Sequence, residues 1–313
     1  MMKGHFGSPM PLLRYRNHTP RLAVFQPWAG FASAFISTML ILVPAHDGDD
    51  LAFDTENLFG FVVGTDIGRV GEMELETETA GAFGKRSGSF AALSSRLSVE
   101  YNPARNFRLE IGALVDRHDI SGVPDIDDVH RASFQGVSLE MRYRLLDRQQ
   151  SGIGLSLLAE PHWLRVDDTT GQRVAQYGSG FAMLVDKELI ADRIVAAFNL
   201  LYEPDAMQSR LTGMWSHEAV AGAGSGLMVQ LQPGFSVGAE ARYLRAYDSL
   251  GFDRFAGQAL FIGPNVFYRV SESLRVTATW NVQAAGKAVA DPGALDLANF
   301  SRHQIKIRIG YQF

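Results

Sequence analysis

From about residue 71 to the C-terminus, apolar and polar residues alternate with a period of two. In one stretch Leu97, Val99 and Tyr101 alternate with Ser98 and Glu100. Such alternation places one face of each strand in an apolar medium and the other face in a polar one. The alternating stretches are long enough to cross a bilayer at a tilt of about 45°, whereas strands of soluble sandwiches are usually shorter. The pattern therefore predicts an all-β protein, a transmembrane antiparallel up-and-down β-barrel.

The alternation divides into twelve predicted strands: 71–84, 87–101, 106–119, 131–146, 152–166, 173–187, 191–203, 207–231, 235–247, 255–270, 274–286 and 300–313. Tight turns alternate with longer, often Asp-rich loops, as in outer-membrane barrels whose short turns face the periplasm. Residues 204–206 are predicted as one of the loops at the opposite, extracellular end of the barrel. The segment 207–231 is too long for one strand and is expected to be bulged or broken near Gly222. Ten or fourteen strands remain alternatives.

The composition supports a barrel over other classes of protein. The chain of 313 residues is 46% hydrophobic and 20% charged, with a mean hydropathy of −0.02. This excludes a disordered chain, and the dispersed apolar residues exclude a helical membrane bundle. The sequence has no cysteine, which excludes disulfides, thiolate metal sites and cysteine nucleophiles. The net charge of −5 argues against nucleic acid as a partner.

The N-terminal region has a different charge pattern from the rest of the chain. It carries Lys3, Arg14, Arg16 and Arg21, and the first acidic residue is Asp47. A basic start, an uncharged apolar stretch and a small residue before a polar segment are typical of a secretory signal peptide. We predict cleavage after Ala45 and export through the Sec pathway. A single membrane anchor is the alternative.

The mature protein is more negatively charged than the full chain, because the predicted signal peptide contains only basic charges. Without residues 1–45 the chain keeps 25 basic and 34 acidic residues, a net charge of −9. The predicted organisation is a signal peptide over 1–45, a periplasmic N-terminal segment over 46–70 and a barrel over 71–313. Met10 is an alternative start of translation.

The last strand carries the most specific motif. Its alternate residues are apolar and the final residue is aromatic: Ile305, Ile307, Ile309, Tyr311 and Phe313. This motif resembles the C-terminal assembly signal of Gram-negative outer-membrane barrels. The resemblance implies that outer-membrane lipid and the barrel assembly machinery are partners. The alternative is an ordinary edge strand, but in a soluble protein such an apolar edge would be prone to aggregation.

The whole mature chain is similar to the porin-like barrels grouped with phenol meta-cleavage pathway proteins. The stretch that carries this resemblance is Phe59-Gly-Phe-Val-Val-Gly-Thr-Asp-Ile-Gly-Arg-Val-Gly-Glu72, followed by Glu74, Glu76 and Glu78. The resemblance implies a porin or passive transporter of small solutes.

The alternation also predicts which charged residues face the lumen. The predicted lumen-lining set is Glu74, Glu76, Glu78, Arg96, Glu100, Arg108, Glu110, Glu140, Arg142, Arg144, Glu240, Arg242, Arg275, Lys306 and Arg308. Placing Arg or Lys on the lipid face would cost about 2–4 kcal/mol at the bilayer midplane. The set has two interpretations: structural ion pairs that fill a narrow lumen, or a polar conduit whose charges set solute preference.

The middle of the chain predicts a lumen wall of a different kind. Gly178, Gly180 and Ala182 share one inward face, and Gly222, Gly224 and Gly226 share another. Glycines within strands often allow another backbone to approach closely. We therefore expect the pre-barrel residues Leu58–Val63 to fold back against this wall as a partial plug. Relief of barrel curvature is the alternative role of the glycines.

Candidate catalytic residues give no recognisable enzyme motif. Ser216, His217 and Glu218 are sequential, so along a strand they point to alternating faces. His118 and His162 each have an acid two residues away, but neither belongs to a lipase-like motif. The prediction is a protein that is not an enzyme, with no catalytic residues and no cofactor. An outer-membrane enzyme acting on lipids and a closed structural barrel are the alternatives.

The loop over 120–130 is the strongest candidate for metal binding. Its acids Asp125, Asp127 and Asp128 could bind calcium through carboxylate oxygens, but the favoured reading is a solvated acidic loop. The prediction is therefore no metal. Oligomeric state is not predicted by any feature of the sequence.

Overall fold

The computed structural model describes residues 54–289, 291 and 293–313, and most of them lie in twelve strands. The predicted signal peptide lies outside the described residues. The strands, each of 10 to 18 residues, are β1 (Met73–Phe83), β2 (Ser89–Ala104), β3 (Phe107–Ser121), β4 (Val129–Leu146), β5 (Gly154–Val166), β6 (Arg173–Ile190), β7 (Ile194–Ser209), β8 (Trp215–Gln232), β9 (Phe235–Tyr247), β10 (Phe255–Arg269), β11 (Leu274–Ala288) and β12 (His303–Gln312).

The strands form one closed barrel in which each strand pairs with its neighbours in sequence, and β1 pairs with β12. Every pairing is antiparallel, so the predicted up-and-down topology and the count of twelve strands are confirmed. At the closure, Glu78 of β1 lies opposite Arg308 on one side and Arg96 on the other. Short connections lie at the end of the barrel where β1 begins and β12 ends. This is the periplasmic end in outer-membrane barrels.

The boundary between β7 and β8 differs from the sequence prediction. Residues 204–206 were expected to form a loop, but they continue β7, which ends at Ser209. The turn lies at 210–214, and β8 then runs unbroken through Gly222, which pairs with Leu201 and Leu244. Pro204 explains the error, because proline usually interrupts a strand. Here it pairs with Ala219 of β8, while the ladder to β6 has a gap beside it.

Helix is almost absent from the described part of the chain. One short helix, α1 (Arg148–Ser151), lies in the β4–β5 connection. The side chain of Asp147 caps its first turn by accepting from Gln149 N–H at 2.9 Å, and Gly152 ends it in the left-handed conformation. None of the described helices is long and apolar enough to cross a membrane.

The outer surface of the barrel is apolar and the interior is polar. On β12 the residues predicted to carry the assembly signal lie on the outward face, where Ile307, Ile309, Tyr311 and Phe313 are exposed in the isolated chain. Between them Arg308 and Gly310 are buried in the interior. The alternation along each strand therefore sorts residues between lipid and lumen, as the fold class requires.

Candidate functional site

Of the charged residues predicted to face the lumen, all but Arg144 lie in the barrel interior. Those buried in the barrel interior are Glu74, Glu76, Glu100, Arg108, Glu110, Glu140, Arg142, Glu240, Arg242, Arg275 and Arg308. Arg96, Glu78 and Lys306 are half-buried beside them. Arg144 lies apart at the periplasmic rim, where it pairs with Asp147 at 3.5 Å and donates to the Arg105 carbonyl.

Strands β1–β5 and β12, together with Glu56 of the N-terminal segment, hold a single connected set of ion pairs, here called the lumen charge network. Seven carboxylates and five cationic groups belong to it: Glu56, Glu76, Glu78, Glu100, Glu110, Glu140, Glu160, Arg96, Arg108, Arg142, Lys306 and Arg308. Arg108 is its centre, since it contacts Glu56, Glu100, Glu110 and Glu140. A smaller set joins Arg275 to Asp54 and Glu74.

The opposite side of the lumen is formed by β6–β9, whose inward positions include several glycines and other small residues, and we call it the small-residue wall. The N-terminal segment lies directly against it. A Cβ at Gly226 would come within 2.7 Å of the Phe59 ring, and a Cβ at Gly224 within 3.2 Å of Val62. Glycine at these two positions therefore allows the close approach. Together with residues of the barrel wall, the segment forms a buried apolar cluster: Leu58, Phe59, Val62, Val195, Ala197, Met228 and Phe267.

Inward polar side chains on this wall bind the backbone of the N-terminal segment. Glu240 accepts from Gly60 N–H at 2.6 Å and from Phe61 N–H at 3.0 Å. Asn199 accepts from Val63 N–H at 2.7 Å and donates to its carbonyl at 2.9 Å. These bonds satisfy backbone groups that lie far from bulk water, and an unpaired buried group is costly. The segment is thus held in a defined position in the lumen.

The periplasmic end of the segment has its own anchor, which the sequence did not reveal. The carboxylate of Asp186 accepts from Thr65 N–H at 2.8 Å and from the Thr55 hydroxyl at 2.6 Å. Arg148 of α1 reaches Asp66 at 2.9 Å and Asp186 at 3.3 Å. Burial raises the pKa of Asp66, and the charge of Arg148 opposes that rise. Asp186 follows Leu184 on the inward face of β6, so extending the alternation by one pair would have found it.

The two sides of the lumen meet around Phe61. The guanidinium carbon of Arg242 lies 3.7 Å from the Phe61 ring centroid, and Lys306 Nζ lies 5.2 Å from it. Both distances are within the range of cation–π contacts. Above the segment a cavity of about 290 Å³ remains, bounded by the lumen charge network on one side and by Gly180, Ala182 and Leu184 on the other.

The histidines considered as catalytic candidates have structural partners. His118 lies 2.8 Å from the Asp168 carbonyl, and His162 Nε2 lies 2.8 Å from Asp205 Oδ1. His162 and Asp205 reach each other across Gly178 of β6, which explains the glycine, because a Cβ there would collide with both side chains. Among the described residues, the side-chain carboxylates of Asp116 and Glu160, each two residues away in sequence, form no hydrogen bond with these histidines.

The acids of the β3–β4 loop also engage the protein itself. Asp128 accepts from Gly122 N–H at 2.7 Å, and Asp127 accepts from the Gln172 side chain at 3.0 Å. These bonds order the loop without converging on one point.

A closed, twelve-stranded antiparallel barrel with an apolar outer face and a polar interior defines the class of outer-membrane β-barrels. Residues 51–313 match the profile of a family of unknown function, DUF6662, so the chain belongs to that family. A search of curated proteins finds none that is similar in sequence to this chain.

Two solved structures illustrate the relationship. The chain is similar to the COG4313 outer membrane channel from Pseudomonas putida F1, with a TM-score of 0.53 and 11% identity over 80% of this chain and 98% of that chain. It is also similar to the translocator domain of the autotransporter NalP from Neisseria meningitidis, with a TM-score of 0.45 and 12% identity over 80% of this chain and 91% of that one. At 11% identity, the similarity to the COG4313 channel identifies only the fold, which is that of a Gram-negative outer-membrane β-barrel.

Proposed function

We propose that the protein is a passive transporter that admits small solutes, with a preference for cations, through a lumen narrowed by its N-terminal segment. The observation that carries this proposal is the cavity inside the barrel. Eight carboxylates line it against five cationic groups, so its wall is net negative. Rings of acidic side chains favour cations in other pores.

The bore of the channel is narrow for two reasons. A twelve-stranded barrel lies between the eight-stranded barrels that side chains fill and the sixteen-stranded porins that hold an aqueous channel. In this barrel the N-terminal segment also occupies the side of the lumen where Gly224 and Gly226 leave room for it. We therefore expect low conductance and passage of small solutes only.

The route to the membrane is part of the same proposal. The signal peptide over 1–45 would direct Sec export, and the outward residues of β12 would be recognised by the barrel assembly machinery. Replacing Phe313 with a polar residue should then reduce insertion in cells without changing export.

Planar-bilayer conductance, paired with liposome swelling, tests the transport proposal. The folded protein should show small, cation-selective steps, measured as the reversal potential in a KCl gradient. Glu240→Ala, which removes the acceptor of Gly60 and Phe61, should raise conductance by loosening the segment. Glu188→Ala is the matched control, because Glu188 lies near the β6–β7 turn, where it accepts from Asp192 N–H at 2.5 Å, and it does not line the cavity. Absence of both conductance and swelling would favour a closed structural barrel.

One observation favours a second candidate function, hydrolysis of esters at the outer face. At the extracellular end of β3 and β4, Ser121 Oγ lies 3.1 Å from His130 Nε2, and His130 Nδ1 lies 2.7 Å from Asp119 Oδ1. Asp119 and His130 are direct register partners. This is the hydrogen-bond order of a Ser-His-Asp triad. A pattern along one strand does not reveal this trio, because its members lie on two paired strands.

The roles in such a site follow from the geometry. His130 would take the proton of Ser121 as its oxygen attacks the ester carbonyl, and would return that proton to the departing alcohol. Water would then release the acid from the acyl-serine. The trio lies on the outward face, where acyl lipids of the outer leaflet are accessible.

A fluorophosphonate probe tests this candidate without knowledge of the substrate. Mass spectrometry should find Ser121 labelled, and Ser121→Ala should abolish both labelling and hydrolysis of a p-nitrophenyl ester. Ser216→Ala should retain both. An unlabelled Ser121 in folded protein, together with no ester hydrolysis, would reject the enzyme and leave the transporter unaffected.

A further inference from the structure

The lumen charge network is unbalanced. Its seven carboxylates exceed its five cationic groups by two charges, and most of its members are buried. Uncompensated charge in a buried site is costly, because the charges are removed from water without a partner. Either one divalent cation or two protons would restore the balance.

Three of the carboxylates come together at one place. Glu76, Glu100 and Glu110 each offer an oxygen, and these oxygens lie within 4.8 Å of one another. All three residues are buried. Among the described contacts, Glu76 and Glu100 each pair with arginine through one carboxylate oxygen, which leaves the other oxygen for a ligand.

The hydroxyl oxygen of Ser98 is a fourth indication of a ligand beside these three carboxylates. Ser98 lies on the inward face of β2, two residues from Glu100 and directly opposite Glu76 in the register with β1. The residue is 2% exposed, and its hydroxyl has no hydrogen-bond partner among the described residues. A buried hydroxyl normally finds a partner, and a bound cation would supply one.

We propose that Glu76, Glu100, Glu110 and the Ser98 hydroxyl bind one divalent cation, of the Ca²⁺ type, in the lumen. The ligands are all oxygens, which Ca²⁺ prefers, and Ca²⁺ tolerates the irregular geometry of side chains on three strands. The three carboxylates also border the cavity of about 290 Å³, so water can complete the coordination. The cation would balance the network and join β1, β2 and β3 beside the N-terminal segment. This proposal does not depend on transport.

Calcium titration of the full-length mature protein in detergent tests the site. After treatment with EDTA at pH 8, isothermal titration calorimetry with CaCl₂ should show one saturable site per chain, and metal analysis after desalting should find one Ca²⁺. Glu100→Gln should weaken binding about tenfold or more, since affinity follows the number of charged ligands. Ser98→Ala should weaken it by a smaller factor.

The matched control is Glu160→Gln, which removes the same charge from the same network but leaves the three-carboxylate site intact. It should retain binding within about threefold, because Glu160 is not a ligand and influences the site only through Arg96 and electrostatics. Circular dichroism and gel mobility without heating confirm that each variant is folded. The proposal would be overturned if the wild-type protein showed no saturable Ca²⁺ binding. In that case bound protons would neutralise the excess negative charge of the network. Equal losses in Glu100→Gln and Glu160→Gln would also overturn the proposal, because they indicate diffuse attraction.

Discussion

The two sides of the lumen solve the same packing problem in opposite ways. On the side of β1–β5 and β12, long charged side chains fill the interior and pair with one another around Arg108. On the side of β6–β9, the strands carry glycine and other small residues, and the N-terminal segment fills the space with Phe59 and Val62. The difference shows that a barrel of this size can be filled by its own strands or by a separate segment. Only the second kind of filling can be displaced without rebuilding the wall.

The largest expected effect comes from breaking the charged side. Arg108→Met removes the cation that contacts Glu56 and Glu100 and leaves both carboxylates buried without that partner. Loss of one partner of a buried ion pair typically costs about 3–5 kcal/mol. Urea unfolding in phospholipid vesicles, followed by tryptophan fluorescence, should show that the free energy of unfolding decreases by about this amount. Arg144→Met, at the periplasmic rim, should have little effect. A loss below about 1 kcal/mol would mean that the network behaves like exposed surface pairs.

A smaller loss of stability is expected when a residue of the small-residue wall is enlarged. Gly226→Ala places a methyl group 2.7 Å from the Phe59 ring, and overpacking of this kind costs about 1–3 kcal/mol. Because the segment can move away, the main result should be faster proteolysis within residues 54–67. Gly180→Ala is the control, since its Cβ would be 3.8 Å from its nearest neighbour, Glu160. Equal proteolysis in both variants would contradict close packing at Gly226.

The smallest effect concerns the junction between the two sides. Phe61→Leu removes the ring that faces the buried Arg242 and the half-buried Lys306. Cation–π contacts are worth about 0.5–1 kcal/mol when exposed and about 2 kcal/mol when desolvated, so we expect the free energy of unfolding to fall by about 1 kcal/mol. A double-mutant cycle with Arg242→Met measures the coupling directly. A coupling energy of zero would mean that Phe61 only fills space.

Much of the fold was predictable because alternation is a local signal. It gave twelve strands and the inward faces of Glu76, Arg108 and Arg308, since each side chain's face follows from its position along its own strand. The predicted end of β7 was wrong, because it was placed before Pro204 and a proline usually ends a strand. The partners of the N-terminal segment were harder to predict. Glu240 binds Gly60 across 180 positions of sequence, and no periodicity encodes such a pairing.

The candidate site was predictable to a similar degree. The glycines of β8 indicated where the segment would approach, but not which polar groups would hold it. Alternation along β7 can place Asn199 on the inward face, yet its two bonds to Val63 depend on the three-dimensional path of the segment. The Ser121–His130 contact likewise requires the β3–β4 register.

The central claim is that the N-terminal segment lies in the lumen against the small-residue wall, and a disulfide tests it most directly. The chain has no cysteine, so an introduced pair is unambiguous. In Val62→Cys with Gly224→Cys, a Cβ at position 224 would lie 3.2 Å from Val62 Cγ2. A cysteine sulfur at position 62 takes the place of such a Cγ atom, so the two thiols are close enough to form a disulfide. The folded protein should form this bond on mild oxidation, detected by mass spectrometry, whereas Val62→Cys with Gly180→Cys should not. Failure of the first pair to form a bond, with both thiols still reactive after unfolding, would contradict the account.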